Sequence, residues 1–257
     1  MKVFITGASS GIGEALAREI RRRNPQAIIG ICARREQRLA ALANELGEAL
    51  TPAWALDVAD ASALIDAADG FIARFGVPDI VIANAGISQG TITGEPEDAP
   101  VFRRILHTNV IAMFDTFAAF VPAMRDARHG CLVGIASVAG IRGLPGAGAY
   151  SASKAAAITY LESLRVELRG QGVDVVTILP GYIRTPMTDS NRYRMPFLTE
   201  VDVFARHALD AILARRRRVV IPWQMGIVAA LLRLLPSALF DRLFARAPRK
   251  ARANETR

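Results

Sequence analysis

Lys2–Gly13 reads KVFITGASSGIG: an apolar run, then a glycine-rich turn, then the start of a helix. Lys2 to Ile5 has the composition of a short buried strand. Thr6-Gly7-Ala8-Ser9-Ser10-Gly11-Ile12-Gly13 follows, and the apolar spacing after it predicts a helix to about Arg23. Small residues in such a turn let the backbone approach a phosphate, and the N-terminus of a helix favours an anion. The glycine spacing is G-x-x-x-G-x-G, distinct from G-x-G-x-x-G. A strand, a glycine turn and a helix form the first unit of a dinucleotide-binding fold. Read without a ligand, they are a tight strand–helix connection.

The pattern then repeats. Ala27 to Cys32 reads as a second strand, Pro52 to Leu56 as a third, Asp79 to Ile82 as a fourth, Cys131 to Ile135 as a fifth and Val173 to Leu179 as a sixth. Val219-Val220-Ile221-Pro222 supplies a seventh. Helices are expected between them at Glu36 to Leu46, Ala61 to Phe75, Val101 to Ala127, Ser151 to Gly170 and Glu200 to Ala214. A distortion of the long helix is expected near Pro122, where the proline lacks an N–H. Strands alternating with helices, without a Pro-, Gly- or Ser-rich linker, give α/β architecture: a doubly wound Rossmann-type parallel sheet of about seven strands with helices on both faces. The domain reading is residues 1–222 as one dinucleotide-binding and catalytic unit. Residues 223–257 form an apolar, basic, helical extension packed on it.

The strand ends carry the candidate cofactor contacts. The second strand runs into Ala33-Arg34-Arg35. A ribose 2′-hydroxyl calls for a carboxylate here, whereas two guanidinium groups suit a 2′-phosphate. NADP(H) is therefore the expected cofactor, with NAD(H) as the alternative if the arginines are only a solvated helix start. Asp57-Val58 ends the third strand, with Asp57 facing an adenine or capping the next helix. Asn84-Ala85-Gly86 follows the fourth and suits the floor of a crevice. Pro180-Gly181 ends the sixth, and Ile183 and Thr185 are placed to hold a nicotinamide amide. Thr188 to Leu198 reads as a mobile loop over a site.

The second decisive stretch is Ser137–Lys154, SVAGIRGLPGAGAYSASK. Tyr150 and Lys154 are four apart, which on a helix sets them on one face. An ammonium beside a phenol favours the phenolate and brings its titration toward neutrality. Ser137, across a glycine-rich loop, is placed to hydrogen-bond the same reacting oxygen. Asn109 is an amide in an apolar helix, either bending it around a water or facing solvent.

Taken together, Thr6–Gly13, Asn84-Ala85-Gly86, Asn109, Ser137, Tyr150-Ser151-Ala152-Ser153-Lys154 and Pro180-Gly181 resemble the short-chain dehydrogenase/reductase family over residues 1–222. The resemblance implies a Rossmann-type homodimer or homotetramer. It would transfer hydride between a nicotinamide and a carbonyl or secondary alcohol. Tyr150 would then exchange a proton with the substrate oxygen, and Lys154 would lower the Tyr150 pKa and hold the nicotinamide ribose. Ser137 would polarise the carbonyl, and Asn109 would anchor a water relaying protons to Lys154. Arg34 stands where the family's NADP-associated arginine does. Ala83 departs from a second asparagine found in many members and touches no catalytic role. A non-catalytic, cofactor-sensing protein is the competing class, and the intact catalytic set argues against it.

Composition narrows the rest. The 257 residues carry a net charge of +8, very unevenly placed. From Ala205 onward there are 12 Lys/Arg against 3 Asp/Glu, whereas the first 204 residues hold 20 against 21. The tail lacks a nucleic-acid reading motif, so nucleic acid is not an expected partner. Cys32 and Cys131 sit in separate apolar strands, which suggests neither a disulfide framework nor a metal site and fits a reducing, cytoplasmic setting. Met1-Lys2-Val3-Phe4 runs straight into the first strand, leaving no room for a signal peptide. Val219 to Leu232 is charge-free but too short to span a bilayer, where ~20 residues are needed. Trp223 to Leu235 and Ala238 to Arg246 read as two helices, the second capped by Ser237. They are open to three readings: core or subunit contact, a lid on the substrate pocket, or peripheral contact with a membrane. The tail together with Leu144, Met187, Met195 and Phe197 points to an apolar substrate, with ordinary packing as the alternative reading of those four.

Overall fold

The computed structural model describes residues 1–189, 191 and 193–252. Ser190 and Arg192, within the expected loop Thr188 to Leu198, lie outside the described residues, as does the end of the extension beyond residue 252.

The strands are β1 (Lys2–Thr6), β2 (Ile28–Ala33), β3 (Ala53–Ala55), β4 (Ile80–Ala83), β5 (Gly130–Ile135), β6 (Val173–Pro180) and β7 (Arg218–Ile221). The helices are α1 (Gly11–Arg23), α2 (Glu36–Leu46), α3 (Ala61–Phe75), α4 (Asp98–Leu106), α5 (Ala112–Asp126), α6 (Gly148–Glu167), α7 (Pro186–Asp189), α8 (Val201–Leu213), α9 (Trp223–Leu234) and α10 (Ser237–Phe244). One seven-stranded sheet has the order β3-β2-β1-β4-β5-β6-β7, and every pairing is parallel.

Side-chain alternation along the strands explains the two layers. Val3 and Ile5 of β1, Ile29 and Ile31 of β2, and Cys131 and Val133 of β5 face one side, against Leu16, Ile20, Leu39, Leu42, Phe204 and Leu209 of α1, α2 and α8. Phe4, Cys32, Val81 and Leu132 face the other, against Leu64, Phe71, Phe117, Phe120 and Leu161 of α3, α5 and α6. A parallel sheet covered on both faces needs such strands of unbroken apolar character. The strand order reverses between β1 and β4, so the carboxyl ends of β1 and β4 diverge into a crevice.

Three expectations are corrected. The long helix is distorted at His107–Ile111, not at Pro122: a π-helical turn separates α4 from α5, and Pro122 lies inside α5. The buried Asn109 amide within that turn is drawn inward to three hydrogen bonds, described below. Second, Asp57 does not cap the helix after β3; Asp60 does, accepting from the amides of Ser62 and Ala63. Third, Ser237 is the first residue of α10 and makes no cap bond; the capping position is Pro236.

Candidate active site

The first βα turn is built for close approach. Gly7 and Gly11 have φ of +69° and +61°, in the region that favours glycine. At Gly13 a Cβ would fall 2.5 Å from Asn84 Nδ2 and 2.6 Å from the Gly7 carbonyl, so only hydrogen fits. Asn84 ties the turn down: its Nδ2 donates to the carbonyls of Thr6 at 3.0 Å and Gly7 at 3.2 Å. Thr6 returns the contact, its Oγ1 accepting from the amides of Asn84 and Ala85, each at 3.1 Å. The N-terminus of α1 has no side-chain cap, which leaves its first amides available to an anion.

The two arginines are placed differently. Arg35 donates to Ser9 Oγ at 2.9 and 3.1 Å and to Ser10 Oγ at 2.5 Å, so it lies on the glycine turn itself. Arg34 is largely exposed and stands 3.6 Å from Asp57. Asp57 also accepts from the Ala59 amide at 3.0 Å, while Val58 is buried. The cleft that these residues border has a volume of about 350 Å³ and runs from Arg34 and Arg35 past Ala85, Gly86 and Ile12 to Tyr150 and Lys154. Its far wall is Pro180, Gly181, Ile183 and Thr185. The Thr185 methyl lies 3.4 Å from where a Cβ on Gly11 would be, so the two walls meet over the glycine turn. A glycine floor, an uncapped helix N-terminus and a cationic rim fit a dinucleotide carrying phosphates at one end.

The far end of the cleft holds the candidate chemistry. Ser137 follows β5 and is buried, its Oγ accepting from the Ala139 amide at 3.1 Å. The short turn after it, Val138–Gly140, packs directly on α6: a Cβ on Gly140 would meet the Lys154 backbone at 2.5 Å. That contact sets Ser137 against the first turns of α6, which present Tyr150 and Lys154. Burial pushes the Tyr150 phenol above its ordinary pKa, and a hydrogen bond with Ser137 opposes the shift. Lys154 is buried, donates from Nζ to the Ile135 carbonyl at 2.8 Å, and is lowered to about 8 by desolvation. Burial and the Ser137 hydrogen bond are what move the Tyr150 titration in this geometry, and the net direction is upward. The Lys154 nitrogen lies 5.8 Å from the centre of the Tyr150 ring.

Asn109 is fully buried and faces inward, not solvent. Its Oδ1 accepts from the Ile87 amide at 2.8 Å; its Nδ2 donates to the Ile87 carbonyl at 3.0 Å and to Ser153 Oγ at 2.9 Å. Ser153 in turn donates to the Tyr150 carbonyl at 2.7 Å. The amide thus joins the segment after β4 to the catalytic helix. A Cβ on Gly86 would meet both Asn109 Oδ1, at 3.3 Å, and Lys154 Nζ, at 3.5 Å, so all three crowd one corner.

A second cavity, of about 320 Å³, meets the first at Ser137, Tyr150, Gly181 and Met187. Its other walls are Ile141 and Leu144 before α6, Met225, Val228 and Leu232 of α9, and Phe244 of α10. Gly181 lets α9 in: a Cβ there would lie 2.7 Å from Met225. Arg142 fastens the α9–α10 turn, donating to the Leu235 carbonyl at 3.2 Å with its guanidinium 4.5 Å from the Phe240 ring centre.

This arrangement matches known proteins. The family model for short chain dehydrogenase matches residues 1–195. The chain belongs to the short-chain dehydrogenase/reductase family. An uncharacterized oxidoreductase of Myxococcus xanthus is 39% identical over 93% of this chain and 94% of its own length. Dehydrogenase/reductase SDR family member 7B of Bos taurus is 32% identical over 98% of this chain and 83% of its own. Among solved structures, an alcohol dehydrogenase from the archaeon Thermococcus sibiricus, complexed with 5-hydroxy-NADP, is 26% identical. It covers 86% of this chain and 96% of that one, with a TM-score of 0.75. A short chain dehydrogenase/reductase from Burkholderia phymatum, in complex with NAD, has a TM-score of 0.82 over 96% of each chain; at 23% identity it speaks to fold alone. As a member of this family the protein is an NAD(P)-dependent dehydrogenase/reductase.

Sequence reasoning gave no individual role to several residues of this short-chain dehydrogenase/reductase. Thr6, Ser153 and Thr188 are hydroxyls that bond the main chain; Thr188 Oγ1 donates to the Ile183 carbonyl at 2.6 Å. For Thr6 the signal is a short polar residue beside a glycine turn; nothing local to the sequence marks the bonds of Ser153 and Thr188. Lys250 also lines the second cavity, and nothing local to its sequence marks it.

Proposed function

We propose that the protein is an NADPH-preferring oxidoreductase acting on the carbonyl, or in reverse the secondary alcohol, of a largely apolar small molecule. The observation that carries this reading is the meeting of two cavities at Ser137 and Tyr150, one with arginines at its far end and the other apolar. When bound, the nicotinamide supplies the hydride. Arg35 and Arg34 would hold a 2′-phosphate, and the amides at the start of α1 a pyrophosphate. Ile183 and Thr185 stand where they would fix a carboxamide. Tyr150 donates a proton to the substrate oxygen as it gains negative charge, and Ser137 hydrogen-bonds that oxygen. Lys154 holds positive charge behind the phenol, which stabilises the phenolate left after proton transfer. Asn109 positions α6 through Ser153. NADPH oxidation across a panel of apolar ketones and aldehydes, repeated with NADH, tests the reading. Turnover with NADPH well above that with NADH is expected, and no turnover with either would remove it.

Two further readings accompany it. Homodimers or homotetramers would form through the outer faces of α5 and α6. Of the apolar residues there, Phe117, Phe120, Leu164 and Leu168 are buried in the subunit, which leaves Ile111, Phe114 and Val166 exposed as the contact. A monomer by light scattering at micromolar concentration would overturn it. The second is peripheral membrane contact by a cytoplasmic protein. On α9, Trp223, Ile227, Leu231 and Leu234 project outward on one face, with Leu239 and Leu243 exposed on α10. Arg233, Arg242 and Arg246 flank them, an arrangement suited to an anionic lipid surface. The two buried free cysteines fit a reducing compartment.

A further inference from the structure

Beyond α10 the chain turns back across the substrate cavity as a strap. The Gly90 amide donates to the Ala251 carbonyl at 2.9 Å. Gly90 itself leaves room that a Cβ would take from the Lys250 carbonyl. Arg252 donates to the buried Asp98 at 2.9 Å and to Glu95 at 3.3 Å. Arg249 packs on Gly146, whose φ is +72°. These contacts, from segments 90–98 and 146, hold the strap at both ends of Lys250.

Lys250 is consequently held inside the cavity wall. Its Nζ donates to Ser88 Oγ at 2.8 Å and lies 6.0 Å from the centre of the Tyr150 ring. Among the described residues no carboxylate pairs with it, and burial alone lowers it to about 8. The other cations around the reacting position are engaged: Lys154 with the Ile135 carbonyl, Arg142 with the Leu235 carbonyl and the Phe240 ring. A half-buried ammonium with one neutral partner is held at a cost that an arriving counter-charge relieves. An apolar pocket with one such group near the reacting carbon selects an amphipathic ligand.

We propose that Lys250 is a substrate-specificity residue: its ammonium receives the carboxylate of an oxo acid or hydroxy acid whose remaining chain fills the apolar cavity. The proposal rests on the oxidoreductase reading and narrows its substrate class. The acid group would sit a few bonds from the carbon that exchanges hydride, given the position of Lys250 beside Tyr150. The C-terminal strap, outside the sheet altogether, then supplies half of substrate recognition.

Calorimetric binding of decanoate and of 1-decanol, with NADP⁺ saturating, tests this directly on wild type, Lys250→Met and Lys250→Arg. Decanoate should bind wild type more tightly than the alcohol, and Lys250→Met should lose about ten- to a hundredfold of the decanoate affinity while keeping that for decanol. Lys250→Arg should restore much of it. Arg252→Ala, which unfastens the strap without entering the cavity, should reproduce part of the loss. Equal decanoate affinity in wild type and Lys250→Met, or no preference of wild type for decanoate over decanol, would overturn the proposal. In parallel, NADPH- and NADH-dependent reduction of 4-oxodecanoate and its ethyl ester separates the two readings. A higher KM for the acid alone in Lys250→Met supports the site; a KM for the acid unchanged by that substitution counts against it. Absence of turnover of either compound, with decanoate discrimination intact, overturns the oxidoreductase reading and retains the anion site.

Discussion

The sheet and the C-terminal extension are both rich in apolar residues, yet they use them in opposite ways. In the sheet, β1 sends Val3 and Ile5 to one layer and Phe4 to the other, and all three are wholly buried. In α9, Met225 and Ala229 turn inward while Trp223 is 68% exposed and Leu234 81% exposed. A central parallel strand has two covered faces, so every apolar side chain finds a partner. A helix laid along the end of the sheet has one face covered. Its inner side becomes the wall of a cavity, and its outer side is left as an apolar surface rimmed by arginine. On the proposed function, chemistry belongs to the first region and selection of what reaches it to the second.

The sharpest way to break this comparison is to remove the chemistry from the core. Tyr150→Phe should lower turnover by roughly 10²–10⁴ while cofactor affinity stays nearly unchanged, because only the hydroxyl is lost. Steady-state kinetics with a binding measurement checks it; near-normal turnover would remove Tyr150 from the mechanism. Stability provides the next contrast. Phe71, fully buried among Phe4, Trp54 and Phe75, should cost about 3–5 kcal/mol when changed to alanine. Phe240, 9% exposed and packed on Phe244 and Arg142, should cost about 1–2 kcal/mol. Urea midpoints of the two variants measure the difference, and equal losses would mean that the extension is as much core as the sheet.

A smaller effect is expected at the cofactor rim. Ala33→Asp with Arg34→Val should reverse a preference for NADPH, since a charge-assisted hydrogen bond is worth about 1.5–3 kcal/mol, or roughly ten- to a hundredfold. Because Arg35 lies on Ser9 and Ser10 while Arg34 is exposed beside Asp57, Arg34→Ala alone should change kcat/KM less than Arg35→Ala. Comparing NADPH and NADH on one substrate decides it; wild type using NADH equally well would withdraw the assignment. The weakest effect concerns the outer face of α9. Trp223→Ser with Leu231→Ser should reduce co-sedimentation with anionic phosphatidylglycerol vesicles and leave turnover of a water-soluble ketone unaltered. Wild type that ignores both anionic and neutral vesicles would end the membrane reading.

Much was legible in the sequence because the relevant physics is local. Strand periodicity, the Gly7–Gly13 turn and the four-residue spacing of Tyr150 and Lys154 depend on neighbours a turn or two away. They specify a βα alternation and a candidate catalytic pair before any packing is considered. What lay beyond reach required contacts between distant segments. The helix distortion falls at Asn109 and not at Pro122 because a buried amide must satisfy its hydrogen bonds with Ile87 and Ser153. The Tyr150 pKa rises because burial outweighs the Ser137 hydrogen bond, a balance that spacing alone does not contain. Lys250 comes beside Tyr150 only because Arg252 finds Asp98 and Ala251 finds Gly90, across more than half the chain. By itself, then, the sequence determined the doubly wound sheet and the residues proposed for hydride chemistry, since periodicity and turn chemistry act over short separations. The tertiary structure alone decided which cation enters the wall of the second cavity and which apolar faces are left uncovered, since desolvation and long-range pairing exist only once the chain has closed on itself.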